Sequence, residues 1–277
     1  MTPGLERFAE LVTPEQFDVA EASLLVAQDA YPDLDVANYL ARLDDMASSA
    51  GRRIPSDAPP ERKVIALNGY LFSEMSFSGN VDDYYDPRNS YLNEVLERRT
   101  GIPLTLSIVY LEVGRRLGLD LKGVSFPGHF LVKLTLKGGE LVIDPFLAGE
   151  AQSEHDLRDR LAKVLPPGEA AKIPLERVLE PASPRQMLAR MLRNLKKIHR
   201  DAKRLEQALA VMQRMLLLMP ESADELRDRG LLYRELECFR PALSDLLNYL
   251  RRRPEAPDSE EIRGYIMDLK RECKRLN

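Results

Sequence analysis

Arg99-Thr100-Gly101-Ile102-Pro103-Leu104-Thr105-Leu106-Ser107 opens the stretch that decides the fold, and the stretch runs on to Phe146. An apolar segment follows to Leu117-Gly118, then three short extended runs carrying Pro127-Gly128-His129-Phe130 and Val142-Ile143-Asp144-Pro145. Pro103 fits the first turn of a helix, where a missing N–H costs nothing. Leu106, Ile108, Val109, Leu111 and Val113 make that helix, Leu104 to Leu117, apolar nearly all round, so it should be central and buried. Gly118 is the expected stop. Strands are expected over Gly123–Phe126, His129–Leu136 and Glu140–Phe146, the last two joined by a Lys137-Gly138-Gly139-Glu140 turn. The order is that of a Cys/His/Asp thiol site whose first place is held by another residue.

A His on one strand beside an Asp on its neighbour forms a pair in which the carboxylate sets the tautomer and steadies the imidazolium. The turn brings positions 129 and 144 across from one another, and Gly128 clears space beside the ring. A lone His on an apolar strand is often only a core residue; Asp144 is what raises the functional reading here. Pro103 stands where a helix dipole would activate a thiolate, and it has no nucleophile to offer. Thr105 and Ser107 are the nearby hydroxyls, and inside a helix such groups usually pack or bond back to the backbone.

Outward from this stretch, residues 1 to 75 read as helices. Thr13-Pro14-Glu15-Gln16 has cap chemistry for a first helix with Phe17, Ala20, Leu24 and Leu25. Asp35 opens a second, and a third is expected from Glu61 to Glu74 after a Gly/Pro/Ser-rich break from Ser49 to Pro60. Met75 to Ser90 is a polar loop, read either as the rim of a site, with Asn80 and Asn89 as cleft residues beside Gly128, or as a connector pinned by its aromatics. Its aspartates lack calcium-loop spacing, so no metal is expected. Asn89 or Ser90 should cap a helix running through Leu96, and Ser153 to Val164 reads as another helix.

Pro-rich sequence from Leu165 to Pro184 is read as a boundary, and everything beyond it as helical. Pro220 and Pro254 stand one 34-residue tetratricopeptide period apart. In that register Leu192, Leu195, Ala208 and Met212 fall on Leu226, Arg229, Ala242 and Leu246. Only a small residue fits where paired helices touch, which makes Ala208/Ala242 the sharpest match. Ser259 to Arg275 reads as a capping helix. The expected domains are residues 1–165, a linker at 166–183, and a repeat module at 184–277.

The 277 residues, 44% of them hydrophobic, can bury a substantial core. A net charge of -4 argues against a general nucleic-acid binder. The basic stretch Arg190, Arg193, Lys196, Lys197, Arg200, Lys203 and Arg204 is the one feature for a DNA-associated regulator; such stretches are usually solvated helix faces. No apolar export segment or membrane span is seen, and Cys238 and Cys273 are lone thiols far apart, so a cytoplasmic protein is expected.

The chain resembles the bacterial SirB-type family, which joins a transglutaminase-like domain to C-terminal tetratricopeptide repeats. Its carriers are Leu67-Asn68-x-Tyr70-Leu71-Phe72, Phe77-x-Gly79-Asn80, Tyr84-Tyr85-Asp86-Pro87-x-Asn89-Ser90, Gly101-Ile102-Pro103-Leu104-Thr105-Leu106-Ser107 and Pro127-Gly128-His129-Phe130-Leu131-Val132. The resemblance implies an α+β, papain-like or transglutaminase-like core with a helical N-terminal region, followed by an all-α repeat module. His129 and Asp144 match the superfamily's His and Asp, and Pro103 stands in its Cys position. The reading therefore leans to a non-catalytic protein that binds a protein or peptide through cleft or repeats, a regulatory role included, with no cofactor and no membrane. The alternative is an amide hydrolase or acyl transferase using His129 and Asp144 with a hydroxyl or water nucleophile.

Overall fold

The computed structural model describes residues 3–275 apart from Ser56. Met1, Thr2, Leu276 and Asn277, which belong to the expected domain ends, and Ser56 of the expected break lie outside the described residues. The chain forms two compact units, one of Pro14–Met191 and one of the residues up to Thr13 together with those from Leu192. The fold is α+β in the first and helical in the second.

Helix α1 (Pro3–Leu11) belongs to the second unit. The first begins with α2 (Val19–Ala27), α3 (Val36–Gly51) and α4 (Pro60–Asn68), and α4 continues into a π-helical turn over Gly69–Glu74. The expected cap at Thr13 is not used. Thr13 Oγ1 instead donates to the Ala9 carbonyl, and Asp18, whose carboxylate accepts from Glu21 N, starts α2 later. Asp35 caps α3 as expected.

A two-residue parallel pair, β1 (Ser78–Gly79) with β2 (Thr100–Gly101), flanks α5 (Leu92–Arg98). The N-cap of α5 is Tyr91 rather than the expected Asn89 or Ser90, and the Asn89 side chain is turned into the loop before it. Helix α6 (Pro103–Arg116) is buried along almost its whole length, from Pro103 to Tyr110 and again from Glu112 to Gly114. Each apolar side chain so enclosed contributes about 1.5–3 kcal/mol. Ile102 has no capping side chain. Thr105 Oγ1 takes that role, accepting from Ile102 N at 3.1 Å and donating to the Asn89 carbonyl at 2.7 Å. A Cβ on Gly101 would come within 2.7 Å of that hydroxyl, so the Gly-x-Pro-x-Thr spacing is what lets the helix start here.

Strands β3 (Leu121–Val124), β4 (Leu131–Leu136), β5 (Gly139–Asp144) and β6 (Glu150–Ala151) form an antiparallel sheet in that order. The β4–β5 turn joins Leu136 to Gly139 in the expected hairpin. Two expectations are corrected. His129 precedes β4 in a turn, its N–H donating to the Phe126 carbonyl, with Gly128 at φ +70°. β5 ends at Asp144 because Pro145 removes a ladder donor and starts a 3-10 turn over Pro145–Leu147.

Helix α7 (Glu154–Val164) carries the Ser153 cap, and α8 (Leu175–Val178) lies inside the expected linker. Residues 166–183 are not a free linker. Ala170 and Leu179 pack with Val124, Phe126, Leu131, Val142, Leu157 and Leu161, and Arg158 binds the carbonyls of Ala170 and Ile173. Ala182 N then bonds the Gly123 carbonyl at 2.8 Å. The division of the chain falls later, inside α9 (Pro184–Asp201).

The helical unit continues with α10 (Leu205–Leu218), α11 (Ala223–Glu235), α12 (Phe239–Arg252) and α13 (Ser259–Arg275). Ala208 and Ala242 are both wholly buried, as the repeat register requires. Gly230 is the other small position: a Cβ there would lie 2.8 Å from the Leu246 side chain.

Candidate functional site

Asp144 is placed by the end of β5, and its carboxylate is fully buried. His129 Nε2 lies 3.0 and 2.9 Å from its two oxygens. Asp144 Oδ1 also accepts from Phe146 N at 3.0 Å, so the carboxylate caps the turn that follows it. A carboxylate accepts and does not donate. Nε2 therefore carries the proton in the neutral ring, and Nδ1 is left as an acceptor.

Arg160, on α7, is a third member that sequence reasoning missed. Its Nη2 donates to Asp144 Oδ2 at 2.9 Å and to Gln152 Oε1 at 3.2 Å. The carboxylate charge is thus shared between a guanidinium and an imidazole. Arg160 sits in Asp156-Leu157-Arg158-Asp159-Arg160, a charged run that reads as solvated helix surface, and no spacing signals its partner.

Phe146 meets the His129 ring edge-on, with centroids 5.9 Å apart, and Tyr84 meets Phe146 at 6.5 Å. Burial pushes the Tyr84 phenol up from its ordinary value, and the Arg190 charge opposes this in part. Gly128 is needed twice over: its φ is positive, and a Cβ would lie 2.7 Å from Val164.

The remaining candidates divide. Pro103 is buried at the first position of α6. Thr105 is committed to its capping bonds. Ser107 is wholly buried, and its Oγ has no hydrogen-bond partner among the described residues. Asn80 and Asn89 turn their amides to each other, at 3.1 Å, and hold the loop rather than facing outward as a pair. Cys238 and Cys273 both belong to the helical unit. Among the described residues no group of three or more His, Cys, Asp or Glu is placed to hold a metal ion.

The Transglutaminase-like superfamily profile matches residues 37–193, and a Tetratricopeptide repeat profile matches residues 195–267. The chain belongs to the transglutaminase-like superfamily, within its SirB/UPF0162 group. A UPF0162 protein of Xylella fastidiosa (strain Temecula1) is 40% identical over 94% of this chain and 93% of its own length. The UPF0162 protein YchA of Escherichia coli K12 is 32% identical over 86% and 87%. Protein SirB1 of Salmonella typhimurium is 31% identical over 88% of each. A menin crystal structure aligns with 95% of this chain and 73% of its own at 11% identity and a TM-score of 0.39, too remote to carry an argument. No helix among the described residues is long and apolar enough to cross a membrane.

Proposed function

We propose that this SirB-type protein is a non-catalytic binding protein of the cytoplasm, which takes a protein or peptide segment at the transglutaminase-like unit, at the repeats, or at both, in a regulatory role. One observation supports the reading: Pro103, which the resemblance sets in the superfamily's Cys position, heads α6, and the Thr105 hydroxyl two residues on is tied into the start of that helix. A His–Asp pair with no nucleophile to deprotonate has no covalent step to run. What remains is a buried polar pair with Phe146 edge-on to the imidazole and Tyr84 edge-on to Phe146, a polar and aromatic surface that suits recognition. The repeats point the same way, since tetratricopeptide arrays generally mediate protein interactions.

A second reading keeps the amide hydrolase or acyl transferase. It is favoured by the intact His129–Asp144 geometry and by the partnerless Ser107 hydroxyl. The two separate in one assay. The protein is incubated with peptide-amide and amine-donor substrates, with and without iodoacetamide, beside His129→Ala. No turnover is expected in any arm. Turnover that resists alkylation and vanishes in His129→Ala would replace the binding reading with the hydroxyl or water mechanism.

A further inference from the structure

The loop between β1 and α5 is fixed from within, and that fixing aims its tip outward. Asn89 is wholly buried; its Nδ2 donates to the carbonyls of Asp83 at 2.7 Å and Tyr84 at 3.3 Å. Its own carbonyl accepts from Thr105 Oγ1, and Asp83 N donates to Asn80 Oδ1 at 3.0 Å. Asp86 is closed off by Arg88, which donates from both its backbone and its side chain. Between these anchors the chain exposes Val81 (77%), Tyr85 (64%) and Tyr84 (39%), the two rings meeting edge-on at 5.3 Å.

The charge at this tip has one sign. Asp82 and Asp83 are exposed, and neither carboxylate has an ion-pair partner among the described residues. Asp86, by contrast, is neutralised by Arg88. The field of Arg190 already reaches the Tyr84 hydroxyl, which leaves the more exposed Tyr85 ring for an incoming cation. A ring face beside two unneutralised carboxylates attracts a guanidinium or ammonium through the ring quadrupole and through charge together. Because the backbone is already ordered, docking there loses little further entropy. Rigid tyrosines are also the side chains that most often anchor interfaces.

We propose that the Val81–Tyr85 tip is a docking surface for a basic segment of a partner protein, with an arginine or lysine side chain lying over Tyr85 and its charge beside Asp82 and Asp83. The proposal rests on the binding reading above and places the partner at the rim of the same site, since Tyr84 touches Phe146, which touches His129.

The test uses the full chain and four fluorescein-labelled, end-capped octapeptides, in which Gly alternates with Arg, Lys, Glu or Leu. The Arg and Lys peptides are expected to bind and to weaken as salt rises. Tyr85→Ser, and Asp82→Asn with Asp83→Asn, should each weaken that binding about tenfold. All three positions are exposed, so unchanged thermal midpoints will show that the variants are folded. Three outcomes overturn the proposal: no basic peptide binds, the Leu peptide binds as well as the Arg peptide, or both variants bind the basic peptides as tightly as the unaltered protein does. The last would move the cation to another acidic surface. None of these depends on turnover, so loss of the rim leaves the binding reading standing, and turnover dependent on His129 would remove that reading without deciding the rim.

Discussion

One carboxylate takes two side-chain donors at the centre of the site, and that has an energetic consequence. Asp144 is fully buried and receives His129, Arg160 and the Phe146 N–H. Removing either side-chain partner leaves a buried acceptor short of a donor, at a cost of about 1.5–3 kcal/mol for a bond to a charged group. His129→Ala and Arg160→Gln should each lower unfolding stability by that amount. Their effects should not add, because both act through the same carboxylate; a coupling of about 0.5–3 kcal/mol is expected. Urea unfolding of the two single variants and the double variant measures it, and strict additivity would mean that Asp144 does not link them. His129 and Asp144 were legible in the sequence because a hairpin turn sits midway between them. Arg160 was not, because its partner is chosen by how α7 returns along the sheet.

At the scale of elements, the basic stretch on α9 shows where one-dimensional reading stops. In sequence it reads as a solvated positive face, and as the one feature for a DNA-associated regulator. In the structure two of its residues, Lys196 and Arg200, are answered by α11. Lys196 lies 2.7 Å from both Glu225 and Asp228, and Arg200 is 2.7 Å from Glu235. The acids sit one repeat further on, so repeat stacking brings charge to charge, and a count along one helix cannot see it. Burial would raise the Asp228 carboxyl, but Lys196 and Arg227 outweigh it and hold the group below its ordinary value. Such a carboxylate contributes stability that is fully present above the unfolded value of about 3.9 and is lost as pH falls through the folded one. Lys196→Met should therefore destabilise the helical unit by about 1.5–3 kcal/mol near pH 7. It should also start acid unfolding at a higher pH, because less of the depression survives. Circular dichroism across a pH series checks both; an unchanged acid transition would assign Lys196 to surface solvation.

Across the whole chain, the repeat period and the central helix were readable because each is written locally. Ala208 and Ala242 recur in register, and Gly101-Ile102-Pro103 stands at the start of a continuous apolar run. The role of the first residues was not readable. Pro3 to Leu11 is a short helix of mixed polarity, and its partner, α10, lies in the last third of the chain in sequence. There Phe8 is wholly buried, with the guanidinium of Arg214, itself almost completely buried on α10, 4.8 Å from its ring centroid. Two repeats fall short of the three or more that such arrays usually need to be stable. α1 supplies part of that deficit by packing on α10, although the two are far apart in sequence. Phe8→Ala should cost about 3–5 kcal/mol, the usual range for truncating a buried Phe. The loss should exceed simple cavity formation in one respect: it removes the ring that shields and attracts the Arg214 charge, worth a further ~2 kcal/mol when desolvated. Phe8→Leu keeps most of the volume but not the π face, so it separates the two contributions. Unfolding of the helical unit, followed by amide exchange across α10 to α12, should be accelerated strongly in Phe8→Ala and partly in Phe8→Leu. Equal protection in all three proteins would show that the array stands without its N-terminal helix.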